Sequence, residues 1–426
     1  MIGSLIFSIL SFAILGLPLY AVMGALGIGL FMLNDIDISA VAIEMYRIAN
    51  SPTIISIPLF TLAGYFLSES NSPKRLLTLL QSLLGKIPGS LAITTLLLTS
   101  IFTAFTGASG ITIIALGGLL LPMLRQHGYD ENFSLGLITT TGSLGLLLPP
   151  SLPIILYGIV AQVDIDKLFM AGIIPCALLV LLLAIYSLYK DPKFKNFPLA
   201  QNTASKNVVV VPWKDALYQA RYELPLPFII LGSLYGGLLT TSETATITLV
   251  YVIAMTFWWY QDLSFKKDFY RIANESCSLI GAILLILCCA MGLTNYLIDA
   301  EVPKKILALF KEVIDNKYIF LLVLNVFLLI IGCLMDIFSA IIVVLPLIIP
   351  LAEAYDIHPV HLAIIFLTNL EIGYITPPVG VNLFIASFRF KVPILTLYKV
   401  SVPFLIILLL GLAVITYVPT LSLLFY

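Results

Sequence analysis

The hydrophobic residues of this chain lie in long runs, and short polar stretches separate one run from the next. The runs lack the two-residue alternation that is typical of outer-membrane strands. Many contain the roughly 20 apolar residues that a helix needs to cross a bilayer. The pattern therefore predicts an all-α polytopic membrane protein. The predicted apolar segments are Ile2–Leu17, Leu19–Leu33, Ile54–Leu67, Leu91–Leu124, Phe133–Ala161, Leu168–Leu188, Leu224–Leu239, Ala245–Tyr260, Ser278–Ile298, Tyr318–Leu351, Leu362–Phe388 and Ile394–Leu424.

Two of these segments, 91–124 and 318–351, are too long for one crossing at about 1.5 Å of rise per residue. Each has polar or small residues in its middle, Thr106-Gly107-Ala108-Ser109-Gly110 in the first and Gly332-Cys333-Leu334-Met335-Asp336 in the second. We interpret them as re-entrant hairpins, hairpin 1 and hairpin 2, which enter and leave the membrane on the same side. A pair of long tilted helices is the alternative.

The chain also repeats itself. Residues 107–186 align without a gap to residues 335–414, at a constant offset of 228 positions. The alignment places Gly145 on Gly373 and Pro149-Pro150 on Pro377-Pro378. Proline and glycine interrupt a membrane helix, and interruptions at corresponding places in both halves are typical of secondary transporters with internal repeats.

The predicted organisation follows from this repeat. Each half contains about five crossings and one hairpin, and because five is odd the two halves have opposite orientations. When the N-terminus is placed outside, most of the 22 lysines and arginines face the cytoplasm, as the positive-inside rule requires. The ranges are a first inverted repeat at 1–190 with a broken helix at 133–161, a cytoplasmic linker at 191–222, and a second repeat at 223–426 with a broken helix at 362–388.

Composition limits the functional class. The chain is 60% hydrophobic and 11% charged, which excludes an ordinary soluble protein, and its net charge of −1 predicts no nucleic-acid partner. The five cysteines are interpreted as small core residues. His127, His358 and His361 lie near segment ends and are predicted to be solvated. We find no nucleotide-binding motif and no catalytic pair at membrane depth, so an enzyme is not predicted, and the inverted repeat favours alternating access over a channel.

The interruptions are the candidate chemistry. A Pro-Pro pair removes two backbone donors, and glycine before it lets the backbone turn away from the helix. Carbonyl oxygens freed in this way cannot face lipid, and they suit a hard cation such as Na⁺. Helix N-termini at the same breaks suit an anionic substrate such as a carboxylate. The sequence therefore predicts that the hairpin tips and the broken helices together form the transport site.

By the repeat, each half contributes one Na⁺ site, and the substrate lies between the tips. Predicted Na⁺ site 1 consists of Ser109 with backbone at Gly142, Ser143 and Gly145. Predicted Na⁺ site 2 consists of Asp336, Ser339, Asn369, Gly373 and Thr376. The predicted substrate-binding residues are Thr106, Gly107, Ser109, Gly110, Asn369, Pro377 and Pro378. Helix capping by the same hydroxyl groups is the alternative.

Three acidic residues lie within apolar surroundings, where a charge is costly and usually functional. Asp336 is the strongest cation ligand candidate, with helix N-capping as its alternative. Glu371 is predicted either to touch a cation or to pair with a lysine at the membrane interface. Glu243 follows Thr240-Thr241-Ser242 at a helix start, which indicates a cap.

At these residues the chain resembles the large membrane subunit of tripartite ATP-independent periplasmic (TRAP) transporters, over nearly its whole length. The matching stretches are GASG followed by LLLP, GYDENFSLGLITTTGSLGLLLPPSLPIILYG, YGGLLTTSETATI, GCLMDIFSAIIVVLPLIIP and NLEIGYITPPVGVNLFIASF. The last stretch is the most specific, because Asn-Leu, Thr-Pro-Pro-Val-Gly and Asn-Leu-Phe occur together in order.

The resemblance implies a fold of the ion-transporter superfamily, with a fixed scaffold and a mobile transport domain that moves like an elevator. It also implies uptake driven by a Na⁺ gradient across the bacterial inner membrane. A periplasmic binding protein would deliver a small organic acid, and a small four-helix membrane subunit would assist. Because the chain starts at the first family helix, that subunit is expected to be a separate chain. The alternative is a single-component Na⁺/dicarboxylate-type carrier of the same superfamily.

Overall fold

The computed structural model describes residues 17–34, 36–85, 89–191, 211–302 and 316–425, together with Ile9, Ser11, Ile87 and a few single positions between 303 and 315. Most of two predicted segments lies outside the described residues: Ile2–Leu17, and the part of the linker at 192–210. The described chain is helical throughout, which confirms the predicted fold class.

The described residues of the first half form nine helices. They are α1 Leu19–Leu33, α2 Ser39–Ala49, α3 Ser56–Glu69, α4 Ser72–Leu84, α5 Ser90–Thr106, α6 Ser109–Gln126, α7 Glu131–Thr141, α8 Leu152–Ala161 and α9 Ile165–Lys190. A 3₁₀ turn, Pro52–Ile55, precedes α3, and another, Leu144–Leu147, lies between α7 and α8.

The second half follows the same order after a short extra helix. Its elements are α10 Trp213–Gln219, α11 Pro225–Tyr235, α12 Thr241–Ile253 with a π-helical end at Ala254–Trp259, α13 Asp268–Asp299, α14 Lys317–Leu334, α15 Ile337–Val343, α16 Leu345–Ala354, α17 Pro359–Gly373, α18 Val381–Phe390, α19 Ile394–Tyr417 and α20 Thr420–Leu423. The helix α10 lies inside the predicted linker, which is therefore not unstructured at its C-terminal end.

Five described helices are long and apolar enough to cross a membrane on their own, and three sharply bent pairs raise this number to eight. One bent pair is the broken segment of the first half, in which Glu131–Leu147 and Leu152–Ala161 meet at 43°. Among the shorter apolar helices, Ser90–Thr106 and Pro359–Gly373 flank a predicted tip and a predicted break, respectively.

The two hairpins differ in their second arms. In hairpin 1, α6 runs unbroken through Pro122, whereas in hairpin 2 the return arm bends by 59° between α15 and α16. Pro346 explains the difference, because it lacks an amide proton and stands where the first half has Gly118. The sequence analysis predicted only two half-length helices at 318–351, so this extra break is a correction.

Helix packing divides the chain into two groups. The long helix α13 packs along α1, α2 and α3, and α12 packs along α3. The hairpin arms α5 and α14 pack on the broken segments, α5 on the turn Leu144–Leu147 and α14 on α17, and α5 also packs closely on α3, which links the two groups. The interior is apolar and nearly continuous across both groups. The hairpins and breaks are thereby gathered at the centre of the protein.

Several smaller predictions are settled by the same packing. The stretch Ser72–Leu84 forms the amphipathic helix α4. Glu243 forms a capping box with Thr240 at the start of α12, as predicted. Two predictions are wrong: Cys277 is exposed on α13, and His361 is only 3% exposed, with its ring nitrogens bonded to Ser422 and to the carbonyl of Thr416.

Candidate functional site

The tip of hairpin 1 is a tight turn between α5 and α6. Gly107 has a φ of +65°, a conformation that favours glycine, and an added Cβ would lie 2.5 Å from the Cβ of Leu152. Behind the tip, the hydroxyl of Thr103 lies 2.8 Å from the hydroxyl of Thr112 and donates to the carbonyl of Gly142 at 2.8 Å. The tip is thus fixed directly against the first broken segment.

The backbone oxygens predicted for Na⁺ site 1 all accept hydrogen bonds from the protein. Thr103 bonds the carbonyl of Gly142, while the carbonyls of Ser143 and Gly145 accept from the amides of Leu146 and Leu148 at 2.9 and 3.0 Å. These are ordinary bonds of a 3₁₀ turn. Each carbonyl retains a second lone pair, so the bonds do not remove its capacity to bind a cation.

Sequence reasoning missed Asn382, which joins the two halves at this point. The hydroxyl of Ser109 donates to Oδ1 of Asn382 at 2.7 Å, and Nδ2 of Asn382 donates to the carbonyl of Thr139 at 3.4 Å. The Asn382 side chain is completely buried. Its signal in the sequence was an amide residue in an apolar run just after a Pro-Pro pair, but its partners lie in the other half of the chain.

At the tip of hairpin 2, Asp336 is the N-cap of α15. Its Oδ2 accepts from the amide of Ser339 at 2.9 Å and its Oδ1 accepts from the hydroxyl of Ser339 at 2.5 Å. The tip is further held by Tyr374, whose hydroxyl accepts from the amide of Ile337 at 2.7 Å. The capping alternative therefore describes Asp336 in this conformation, and the two side chains predicted for site 2 contact each other.

Asn369 does not lie at the tip of hairpin 2. Its Nδ2 donates to Oδ1 of Asn325 at 2.6 Å and to the carbonyl of Ile365 at 2.8 Å. Asn325 precedes the end of α14 at Leu334 by about 14 Å at the usual helical rise. The structure therefore separates Asn369 from Asp336, although Oδ1 of Asn369 is buried without a partner among the described residues.

Gly373 and Thr376 likewise have protein partners. The carbonyl of Gly373 accepts from the amide of Thr376 at 3.0 Å, and the hydroxyl of Thr376 donates to the carbonyl of Ile372 at 2.9 Å. Beyond them, Pro377 and Pro378 are exposed, and the hydroxyl of Tyr398 donates to the carbonyl of Pro378. The first Pro-Pro pair is far less exposed, so the two breaks are in different environments.

The glycines of the two breaks serve close packing rather than unusual backbone angles. Neither Gly145 nor Gly373 has a positive φ, which corrects the predicted reason for glycine. A Cβ on Gly145 would lie 1.9 Å from the carbonyl oxygen of Ser100, and one on Gly373 would lie 2.5 Å from the carbonyl carbon of Gly332. In both halves the missing side chain lets the break touch the first arm of its own hairpin.

Glu371 is fully buried, and both of its carboxyl oxygens lack a hydrogen-bond partner among the described residues. The predicted pairing with a lysine at the interface is therefore wrong. The backbone carbonyl of Glu371 accepts from the hydroxyl of Ser143 at 3.4 Å. The hydroxyls of Thr140, Thr141 and Thr368 are also buried without partners. Polar atoms without partners are thus numerous in the broken segments.

Two cavities lie near this centre. One of about 540 Å³ is lined by Arg47, Gln162, Asp164, Thr241 and neighbours, between α2, α12 and the end of α8. The other, of about 640 Å³, lies between α3, α6 and α13, and its walls include Glu69, Ile114 and Glu275. The predicted substrate residues of hairpin 1, from Thr106 to Gly110, line neither cavity, and Gly110 packs on Ile385.

Comparison with known proteins gives a consistent result. The family model described as the DctM component of tripartite ATP-independent periplasmic transporters matches residues 6–421. The isethionate TRAP transporter permease protein DctMQ of Oleidesulfovibrio alaskensis is 33% identical over 97% of this chain, which spans 64% of that longer protein. The C4-dicarboxylate TRAP transporter large permease protein DctM of Pseudomonas aeruginosa is 33% identical over 94% of this chain and 92% of its own length.

A more distant relative and a solved structure complete the comparison. The sialic acid TRAP transporter large permease protein SiaM of Vibrio cholerae is 27% identical over the full length of this chain and 98% of its own length. The crystal structure of the YdaH transporter of Alcanivorax borkumensis superposes with a TM-score of 0.64, at 16% identity, over 98% of this chain and 97% of that one. At this identity the superposition supports the fold alone.

Proposed function

This chain belongs to the DctM family of tripartite ATP-independent periplasmic transporters, and on that premise we propose that it carries out Na⁺-coupled uptake of a small organic acid. It would do so as a multi-pass protein of the bacterial inner membrane. A periplasmic binding protein would deliver the acid, and a separate small four-helix membrane subunit would complete the transporter. The relatives are named for isethionate, C4-dicarboxylates and sialic acid, all of which are organic acids.

One observation carries the proposal of a coupled transporter. The two broken segments meet inside the protein through Ser143 and Glu371, and the hydroxyls of Thr140, Thr141 and Thr368 have no hydrogen-bond partner among the described residues. Buried polar groups without partners are rare because they cost free energy, and they are usually compensated by water or ions. Carbonyl, hydroxyl and carboxylate oxygens are the ligands that hard cations prefer. The interior is therefore suited to small cations.

We place Na⁺ site 1 between the tip of hairpin 1 and the first break. Ser109 and Asn382 would supply side-chain oxygens, and Gly142, Ser143 and Gly145 would supply backbone carbonyls. Na⁺ site 2 would lie at the tip of hairpin 2, with Asp336 and Ser339 near the backbone of Gly373 and Thr376. Asn369 is too far from Asp336 to share that site in this conformation, so we assign it to neither.

The organic acid would bind between the two tips, and Thr106, Gly107, Ser109 and Gly110 of hairpin 1 and the exposed Pro377 and Pro378 would line its site. The start of α6 at Ser109 would direct backbone amides and the positive end of the helix dipole toward a carboxylate or sulfonate group. The tips and breaks would then move together, past a scaffold that includes α1, α11 and α12. Such a movement carries the site across the membrane without an open pore.

The test is uptake into proteoliposomes that contain this chain, its small subunit and its binding protein. A ligand screen of the binding protein first identifies the acid. An imposed Na⁺ gradient should drive accumulation, and its collapse should stop it. Accumulation that follows a pH gradient and ignores Na⁺ would refute Na⁺ coupling. Uptake without the binding protein would support the single-component carrier instead.

A further inference from the structure

A buried ionic network surrounds Arg75 on α4, far from the transport site. The Nε atom of Arg75 lies 2.5 Å from Oε1 of Glu223, and the two terminal nitrogens bond the carboxylate of Asp262 at 2.7 and 3.1 Å. The side chains are 13%, 1% and 6% exposed, respectively. Glu223 comes just before α11, and Asp262 lies between α12 and α13, so one guanidinium joins three parts of the chain.

Further contacts fix the orientation of these groups. The Tyr260 hydroxyl donates to Oε2 of Glu223 at 2.9 Å, and the Tyr260 ring lies 3.7 Å below the Arg75 guanidinium. The Ser72 hydroxyl donates to Oε1 of Glu223 at 3.0 Å, and Nδ2 of Asn71 donates to Oδ1 of Asp262 at 3.1 Å. A guanidinium that is stacked on a ring and held in a bidentate pair has little freedom to move.

An apolar contact strengthens the same connection. Leu79 of α4 is buried together with Ala216 and Ala220, which lie in and just after α10. Thus α4 is held to α10, α11 and the α12–α13 connection by ion pairs, hydrogen bonds and apolar packing at once. These elements surround the predicted cytoplasmic linker.

The contact between α4 and α5 is of a different kind. It packs on α5, the first arm of hairpin 1, but within the described ranges no hydrogen bond or ion pair joins the two helices. Instead, the start of α5 is held by α9, because the amide of Gly89 donates to Oδ2 of Asp191. The polar contacts therefore divide between α4 and α5, at the connection from Leu84 to Ser90.

We propose that Arg75 is a positioning residue that keeps α4 with the scaffold while hairpin 1 moves relative to α4. This inference rests on the proposed transport function. Removing a guanidinium from two buried carboxylates would leave their charges uncompensated, so α4 should remain bound to them throughout the cycle. Sliding on the apolar contact with α5 breaks no hydrogen bond. Gly89, which precedes α5, has a φ of +73°, a backbone conformation that favours glycine.

Cross-linking tests whether α4 stays with the scaffold or moves with hairpin 1. In a cysteine-free background that retains uptake, the Leu79→Cys/Ala216→Cys pair would be oxidised to a disulfide in the reconstituted transporter. Uptake should persist, because α4 and α10 do not move apart. Loss of uptake that a reductant restores would overturn the inference, since it would show that α4 leaves the scaffold.

A second pair of cysteines distinguishes failure of this inference from failure of the proposed transport function. Ile114→Cys on α6 and Glu275→Cys on α13 both line the 640 Å³ cavity, and a bifunctional maleimide of suitable length would bridge them. This link should abolish uptake, because it joins hairpin 1 to the scaffold. If uptake survives both links, the proposed elevator movement fails. If the second link blocks uptake and the first also blocks it, only the assignment of α4 fails.

Substitution of Arg75 supplies the kinetic test. Arg75→Gln should lower the maximal uptake rate about tenfold, because it leaves two buried carboxylates unpaired. The substrate KM and the Na⁺ half-saturation should stay unchanged, since α4 touches neither ligand. Arg125→Gln is the matched control, because the Arg125–Glu131 pair is exposed and should change the rate less than about twofold. A change in KM, or equal effects of both variants, would overturn the role of Arg75.

Discussion

The side-chain hydroxyl of Ser143 donates a hydrogen bond to the backbone carbonyl of Glu371, 3.4 Å away. The two residues are 228 positions apart, which is the offset of the internal repeat, so they are equivalent positions in the two halves. Contact between equivalent positions occurs where two related units meet at their symmetry axis. The broken segments therefore meet at the centre of the repeat, with a hydroxyl on one side and a fully buried carboxyl on the other.

The first prediction concerns the packing glycines of the breaks. Gly145→Ala and Gly373→Ala should each destabilise the protein by about 1–3 kcal/mol, because the added methyl group would overlap the hairpin backbone. Thermal unfolding in detergent measures the change. Gly232→Ala is the matched control, since an added Cβ there meets no atom within 4 Å. Equal unfolding midpoints for all three variants would contradict the packing argument.

The second prediction separates the two roles of Asp336. Asparagine caps a helix about as well as aspartate, so Asp336→Asn should fold normally and yet raise the Na⁺ concentration for half-maximal uptake about tenfold. Asp336→Ala should also lose about 1 kcal/mol of stability with the cap. Asp130→Asn, at another N-cap outside the proposed site, serves as the control. If the Na⁺ dependence of Asp336→Asn is unchanged, Asp336 acts only as a helix cap and not as a Na⁺ ligand.

The third prediction concerns pH and Asp262, which lies outside the membrane segments. Burial favours a higher pKa, but hydrogen bonds from Arg75 and Asn71 outweigh it and lower the pKa of Asp262 below its ordinary value. A lowered folded-state pKa stabilises the protein above the unfolded pKa, and this contribution disappears as the pH falls through the folded-state value. The wild type should therefore unfold at a higher temperature than Asp262→Asn at neutral pH, and the difference should shrink below about pH 4. A difference independent of pH would exclude this charge effect.

The fourth prediction concerns membrane orientation. Glu353 and Lys214 are both exposed, so accessibility alone does not distinguish them. In a background without the native cysteines, an impermeant thiol reagent added to intact spheroplasts should label Glu353→Cys and not Lys214→Cys. The distribution of lysine and arginine residues is the reason. The opposite labelling pattern would reverse the orientation of both repeats.

The sequence by itself determined the class of protein and its division into segments. Long apolar runs and few charges specify membrane helices, and the split before α12 and the cap at Glu243 followed from local signals. The repeat was also visible, because prolines and glycines at equal spacing are local features that survive when other residues diverge. The family was recognisable from contiguous motifs for the same reason.

Only the tertiary structure decided which side chains meet. Ser109 and Asn382 are 273 positions apart, and Arg75 is separated from Glu223 and Asp262 by 148 and 187 positions. No local pattern encodes such pairs, because helix packing selects them. The same packing buried Glu371 without a hydrogen-bond partner for its carboxyl among the described residues, separated Asn369 from Asp336, and made Gly145 and Gly373 contact points. A repeat predicts equivalent backbones, but the side chains around each break differ, and their packing determined the site.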